Sequence, residues 1–238
     1  MIDEANFPIT PWLLAPASEA GTRAVRTPLS TKLVSIYPMA ADALTQRGIV
    51  CSVWPIASRV LATLDQAHNL LANEAELMER VDQCVHEVVI LAAPGDDYDA
   101  SHSEPQWRRR IYLSVPEPSG ISDLRVVEAI IHEAMHLNLT NLEQSVPLFR
   151  GDGHAFSPWR ECLRPVSGVF HGLYVFTCIS RFFGIHLLPA EQNELRRRFI
   201  ERRLDQISSD LAAVEPNELN PYLTSAGAYL YERLRRIP

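Results

Sequence analysis

Ile130-Ile131-His132-Glu133-Ala134-Met135-His136-Leu137 is the stretch on which the reading of this chain turns. Two histidines four residues apart on an α-helix project from one face, a single turn apart, so both imidazoles can reach the same metal ion. Glu133, directly after the first histidine, points partly toward that ion, where a carboxylate can act on a bound water. The flanks suit a helix seated in a core. Leu124, Val127, Ile130, Ile131, Ala134 and Met135 give it an apolar face, and Ser122 or Asp123 is available to cap its start. The plain alternative is a pair of core or surface histidines with no metal at all.

Working outward, the elements next to this helix read as strands. Val85 to Leu91 is β-branched and runs into Pro94-Gly95, and Arg110 to Val115 alternates before Pro116, Pro118 and Gly120 stop it. Between them Gly95 to Gln106 reads as an acidic, polar loop. Further upstream, apolar residues recur at helical spacing from Ser58 to about Glu79. Downstream, helices are expected over 166–183, 190–214 and 222–236, with Pro189 and Pro221 at the starts of the last two. Residues 1–30 read as an extended, proline-rich lead-in. These pieces predict a mainly helical α+β fold, with a small antiparallel sheet packed beside the metal-binding helix. They form one domain over 1–238, whose metal-site core lies at 108–183.

Composition narrows the partners. The net charge of −7 argues against a general nucleic-acid binder, which needs a basic face to neutralise phosphates. Arg196-Arg197-Arg198 has Glu191, Glu194 and Glu201 nearby and reads as a solvated, ion-paired helix face. Arg108-Arg109-Arg110 is equally short. No stretch reads as a membrane span, and the acidic start, Met1-Ile2-Asp3-Glu4, lacks the order of a signal peptide. Cys51, Cys84, Cys162 and Cys178 are scattered, with no C-x-x-C pair, which predicts buried, reduced thiols and a cytoplasmic location.

Two protein ligands are rarely enough for a catalytic metal, so the third decides the class. The residues after His136 lack the glycine and histidine of a metzincin. Glu161, Glu191 and Glu194 are formally available, but none stands in the setting of a gluzincin ligand. His171, in the apolar helix Val166–Phe176 and beside Gly172, is the preferred candidate, with His154 the second choice. Between the histidine elements lies Ser157-Pro158-Trp159-Arg160-Glu161-Cys162-Leu163-Arg164-Pro165. Arginine forks bind carboxylates at two points, so Arg160 or Arg164 could hold a substrate or co-substrate carboxylate. The bland alternative is an arginine paired with Glu161 or capping a helix end.

The order His-Glu-x-x-His, then Ser-Pro-Trp-Arg with Arg-Pro, then Gly-x-x-His-Gly-x-Tyr-x-Phe, over roughly residues 108–183, resembles the 2-oxoglutarate-dependent HExxH-type peptide β-hydroxylases. That family modifies ribosomally made peptides. The resemblance implies iron(II) on His132, His136 and His171, with dioxygen and 2-oxoglutarate in the open positions and a precursor peptide as substrate. It implies further that Arg160 or Arg164 holds the distal carboxylate of 2-oxoglutarate. Glu133 would then support the ligands or act as a local acid–base. The rival is a zinc peptidase in which Glu133 deprotonates a zinc-bound water, with Arg110–Val115 as an edge strand that pairs with substrate. A peptide-binding protein with a degenerate site is the third class. The sequence does not give the oligomeric state.

Overall fold

β-branched runs on either side of an acidic loop build the sheet, and its directions differ from those expected. The computed structural model describes residues 23–26, 33–36, 58–91, 99–103 and 109–236. Five strands, β1 (Arg23–Arg26), β2 (Leu33–Ile36), β3 (Glu87–Leu91), β4 (Ser101–Ser103) and β5 (Arg110–Ser114), stand in the order β1-β2-β3-β5-β4. The outer pairs β1–β2 and β4–β5 are antiparallel, but β2–β3 and β3–β5 are parallel. The sheet is therefore mixed, not antiparallel. The reason is visible in burial: Val88–Leu91 and Ile111–Ser114 are buried at every position, as interior strands covered on both faces are.

Two further expectations about the sheet are corrected. β5 lies inside it, between β3 and β4, and the edge beside the motif helix is β4. The acidic loop is thus interrupted by a strand, Ser101-His102-Ser103, too short and polar to announce itself by alternation. The extended lead-in falls outside the described residues except for β1.

The helices follow the apolar periodicity more closely. The predicted helix over 58–79 is two, α1 (Ser58–Leu71) and α2 (Ala75–Cys84), because the Glu74 side chain accepts from the Leu77 amide and starts a new helix there. The motif helix α3 spans Ser122–Glu143. Neither expected side chain caps it. Ser122 turns its hydroxyl back to the Glu117 carbonyl at 2.8 Å, and Ile121 holds the cap position. Next come α4 (Val166–Arg181), α5 (Glu194–Ala212) and α6 (Ser225–Leu234). Pro189 and Pro221 sit in separate 3-10 turns, and Asn193 and Thr224 cap the helices after them.

α3 is the central element, packed on β4 and β5, on α1 and α2, and along α4. Leu124, Val127, Ile131, Ala134 and Met135 are fully buried, as their face predicts, while Ile130 of the same predicted face is only half-buried. A π-helical turn, Phe182–Leu187, continues α4, so the run Val166–Ala190 is long and apolar enough to cross a membrane by length and composition, contrary to the sequence reading. Here Val169, Phe170, Val175, Phe176 and Ile179 are buried in the core. The arginine-rich stretch is ion-paired as expected: Arg196 to Asp123 and Glu191, Arg197 to Glu201, Arg198 to Glu194.

Between α3 and α4 the chain makes a two-stranded ribbon, β6 (His154–Ser157) and β7 (Cys162–Pro165). Its approach is pinned by residues far downstream. The Thr224 hydroxyl donates to the Pro147 carbonyl, Thr224 N–H to Leu148 O, Arg150 N–H to Tyr222 O, and Phe156 N–H to the Glu218 carboxylate. Gly227 makes this docking possible, since a Cβ there would lie 2.1 Å from the Leu148 carbonyl oxygen.

Candidate metal centre

On α3 the residues at one stripe, Arg125, Glu128, His132, His136 and Glu143, carry the polar side chains, and the elements around them decide what each can do. His132 Nε2 and His136 Nε2 face one another at 3.2 Å. Two nitrogens each roughly 2.0–2.1 Å from one ion stand about 3.0–3.4 Å apart, so the pair has the spacing of two donors to one metal. Burial drives the His132 pKa down to about 4, helped by Arg203 and Arg160. The same cause takes His136 to about 3, with His132, His171, Arg164 and Arg160 adding to it. Both imidazoles are neutral at pH 7, the state in which a ligand nitrogen keeps its lone pair.

Glu133 is turned the other way. It is buried, and its two carboxylate oxygens accept the hydroxyls of Ser101 and Ser103, each at 2.6 Å. Burial raises its pKa, and the two hydroxyls oppose that rise. Hydrogen bonds to a charged group contribute about 1.5–3 kcal/mol each, so this contact ties the edge strand β4 to α3.

His171 reaches the site from α4. Its Nδ1 lies 3.3 Å from Nδ1 of His136, while its Nε2 lies 3.1 Å from the Glu143 carboxylate. It therefore touches the far nitrogen of His136 and not the one that faces His132. Among the described residues, no group of three or more His, Cys, Asp or Glu side chains is arranged to hold one ion. The pair fits a metal; His171 as placed gives no nitrogen to the same point. His154 is exposed at the start of β6, and the structure does not bring it to the pair. Glu191 and Glu194 are held by Arg196 and Arg198, and Glu161 is exposed at the ribbon turn.

The ribbon supplies the arginines. Ser157 and Cys162 close a turn in which Glu161 takes a left-handed conformation, φ 50°, at a cost of about 1–2 kcal/mol for a residue with a side chain. Arg160 sits in this turn and Arg164 on β7, both near enough to depress the His136 pKa. Neither side chain has an ion pair among the described residues, so the alternative pairing of an arginine with Glu161 is not formed. Trp159 stacks on Phe176 at 5.2 Å, Phe176 meets the edge of the His132 ring at 5.4 Å, and the Arg203 guanidinium lies 5.5 Å from the Phe176 centroid. The indole N–H of Trp159 is buried without an acceptor.

A cleft of about 460 Å³ opens on His132, lined by Asp99, Arg125, Glu128, Arg202 and Arg203 among others. Arg125 grips Asp99 with both arms of its fork, and Arg203 holds Glu128 at 2.6 Å. Sequence reasoning missed this cleft. The signal for half of it was present, because Arg125 and Glu128 stand seven and four residues before His132 on the same helical stripe. Arg202 and Arg203 come from α5, and nothing local connects them to the motif. Of the thiols, Cys84 is buried as expected; Cys178 is only half-buried, though desolvation pushes its pKa up to about 12, and Cys162 is exposed, contrary to expectation. Cys51 and Arg108 lie outside the described residues.

Comparison with known proteins adds no family: no family model matches this chain, and no curated protein matches it. What the chain resembles is carried by its own residues.

Proposed function

We propose that this chain is an iron(II)- and 2-oxoglutarate-dependent oxygenase that β-hydroxylates a side chain of a ribosomally made precursor peptide in the cytoplasm. One observation carries the choice over hydrolysis. Both oxygens of Glu133 are occupied by Ser101 and Ser103, so the carboxylate is engaged as a brace between α3 and β4. A water-activating base needs an oxygen turned to the water it deprotonates.

His132 and His136 would hold the iron through Nε2. When bound, iron(II) would let dioxygen and 2-oxoglutarate insert one oxygen atom into a peptide C–H bond, the keto acid leaving as succinate and carbon dioxide. The chain's own residues do the rest. Arg160 or Arg164 takes the distal carboxylate of 2-oxoglutarate, since each offers a fork with no ion pair among the described residues. Trp159 and Phe176 form an apolar wall beside His132, with the Arg203 guanidinium over the Phe176 ring, that keeps water from that side.

A zinc peptidase is the second reading, favoured by the short antiparallel edge strand β4 and by the raised pKa of Glu133, which suits a general base. The test is anaerobic titration of iron(II)-loaded protein with 2-oxoglutarate. A visible charge-transfer band is expected, and Arg160→Ala or Arg164→Ala should raise the concentration needed to form it. No band from protein shown to hold iron, together with peptide cleavage by the zinc form, would replace the oxygenase with the peptidase.

A further inference from the structure

His136 is held from both ends of its ring. Nε2 faces His132, and Nδ1 meets Nδ1 of His171 at 3.3 Å. The two rings are close to coplanar, 16° apart, with centroids at 5.5 Å. They meet edge to edge, as an N–H···N hydrogen bond requires, and not face on face. His171 then passes to Glu143 at 3.1 Å. Glu143 lies seven residues after His136 on α3, two turns along the same stripe, and His171 enters from α4 between them. Tyr174, one turn on from His171, receives the Asn138 amide at 2.6 Å and braces α4 against α3 at this level.

Resting on the reading that His132 and His136 hold a metal, we infer that His171 is a positioning residue and not the third ligand. With Glu143 it fixes the tautomer and orientation of His136. The protons fall into one consistent set. A His136 that ligates through Nε2 must carry its proton on Nδ1, which donates to Nδ1 of His171. His171 then carries its own proton on Nε2 and donates it to the Glu143 carboxylate. Both nitrogens of His171 are used in this chain, so neither is left for a metal. A carboxylate behind a histidine orients a metal-bound imidazole and raises its basicity; here the carboxylate acts through one imidazole more. With two protein donors, the ion keeps more positions for a chelating co-substrate than a three-histidine site would.

Zinc(II) is the probe, with binding measured by chelator competition and the imidazoles on the metal counted by X-ray absorption. Two imidazoles are expected in the unmodified protein. His171→Ala should weaken zinc binding by about ten- to hundredfold and leave the count at two. His171→Asn, whose amide oxygen can accept from His136 Nδ1, should recover most of the loss, which a merely space-filling role would not explain. Glu143→Ala should behave like His171→Ala, and Glu143→Gln more mildly. Three imidazoles that fall to two in His171→Ala would overturn the inference while leaving the metal site standing. If His132→Ala binds zinc as tightly as the unmodified protein, the metal site itself is wrong and the inference falls with it.

Discussion

The two sides of α3 carry the same problem and solve it differently. On the side that meets β4, a buried carboxylate has both oxygens covered by hydroxyls. On the side that meets α4, two half-buried imidazoles face each other across 3.2 Å with no carboxylate between them. A buried polar group without a partner costs about 1–3 kcal/mol. The Glu133 side is satisfied by hydroxyls of a neighbouring strand, and the histidine side, on the proposed function, would be completed by a cation. On the proposed function one side of the motif is structural and the other is the chemical side.

The largest effect that could break this contrast is on activity. Glu133→Gln keeps one acceptor for Ser101 or Ser103 and can donate to the other hydroxyl. Peptide hydroxylation should fall by less than about tenfold, well short of the hundred- to ten-thousandfold that loss of a general base brings. Turnover assays on a precursor peptide measure it. Activity lost entirely, with the charge-transfer band intact, would put Glu133 on the chemical side.

Acidification sharpens the contrast, because the two sides titrate with opposite sign. His132 and His136 have folded pKa values of about 4 and 3, below the ordinary 6.5. Their contribution to metal-free stability is present above pH 6.5 and is lost as pH falls toward 3. The slope is about 1.4 kcal/mol per pH unit for each imidazole where it titrates in the unfolded chain alone. Glu133, raised above 4.5, contributes below that value and loses its contribution as pH rises through its folded pKa. Thermal melts of metal-free protein should therefore drop from pH 7 to pH 5. The drop should be shallower in His132→Gln, and an unchanged drop there would assign the acid sensitivity elsewhere.

A smaller effect comes from the wall behind the histidines. A Cβ at Gly172 would lie 2.7 Å from the Trp159 ring, so Gly172→Ala must push the indole and the turn carrying Arg160. Overpacking of this kind costs about 1–3 kcal/mol. The melting temperature should fall, and the 2-oxoglutarate requirement should rise while zinc binding stays near normal. If only stability changes, the ribbon has no part in holding the co-substrate.

Much of this was legible in the chain. The mainly helical α+β class, α3 with its buried face, α4 and the approach of His171 all follow from apolar spacing, which survives folding because one face of each helix is removed from water. Strand direction was not legible. β3 and β5 are buried on both faces, and the short polar β4 that separates them in sequence contains no periodicity long enough to read. The partners of Glu133 were hidden for the same reason, since Ser101 and Ser103 look like loop residues until β4 pairs with β5. Glu143 could have been found from its seven-residue distance to His136. Arg203 could not, because its place beside His132 depends on how α5 crosses α4.

The stitching of the ribbon's approach has a consequence in time. Pro147 and Arg150 are fastened by residues 77 and 71 positions later in the chain. On a growing polypeptide, α3 can present its histidines well before those fasteners are made. The histidine half of the proposed centre can thus form early, while the turn bearing Trp159 and Arg160 waits for Thr224 and Gly227 to arrive. On the proposed function, a nascent chain paused between the two would offer a metal its histidines before the turn that would grip the co-substrate is fixed. The order of synthesis thus delays the fixing of that turn until the ribbon's approach is fastened.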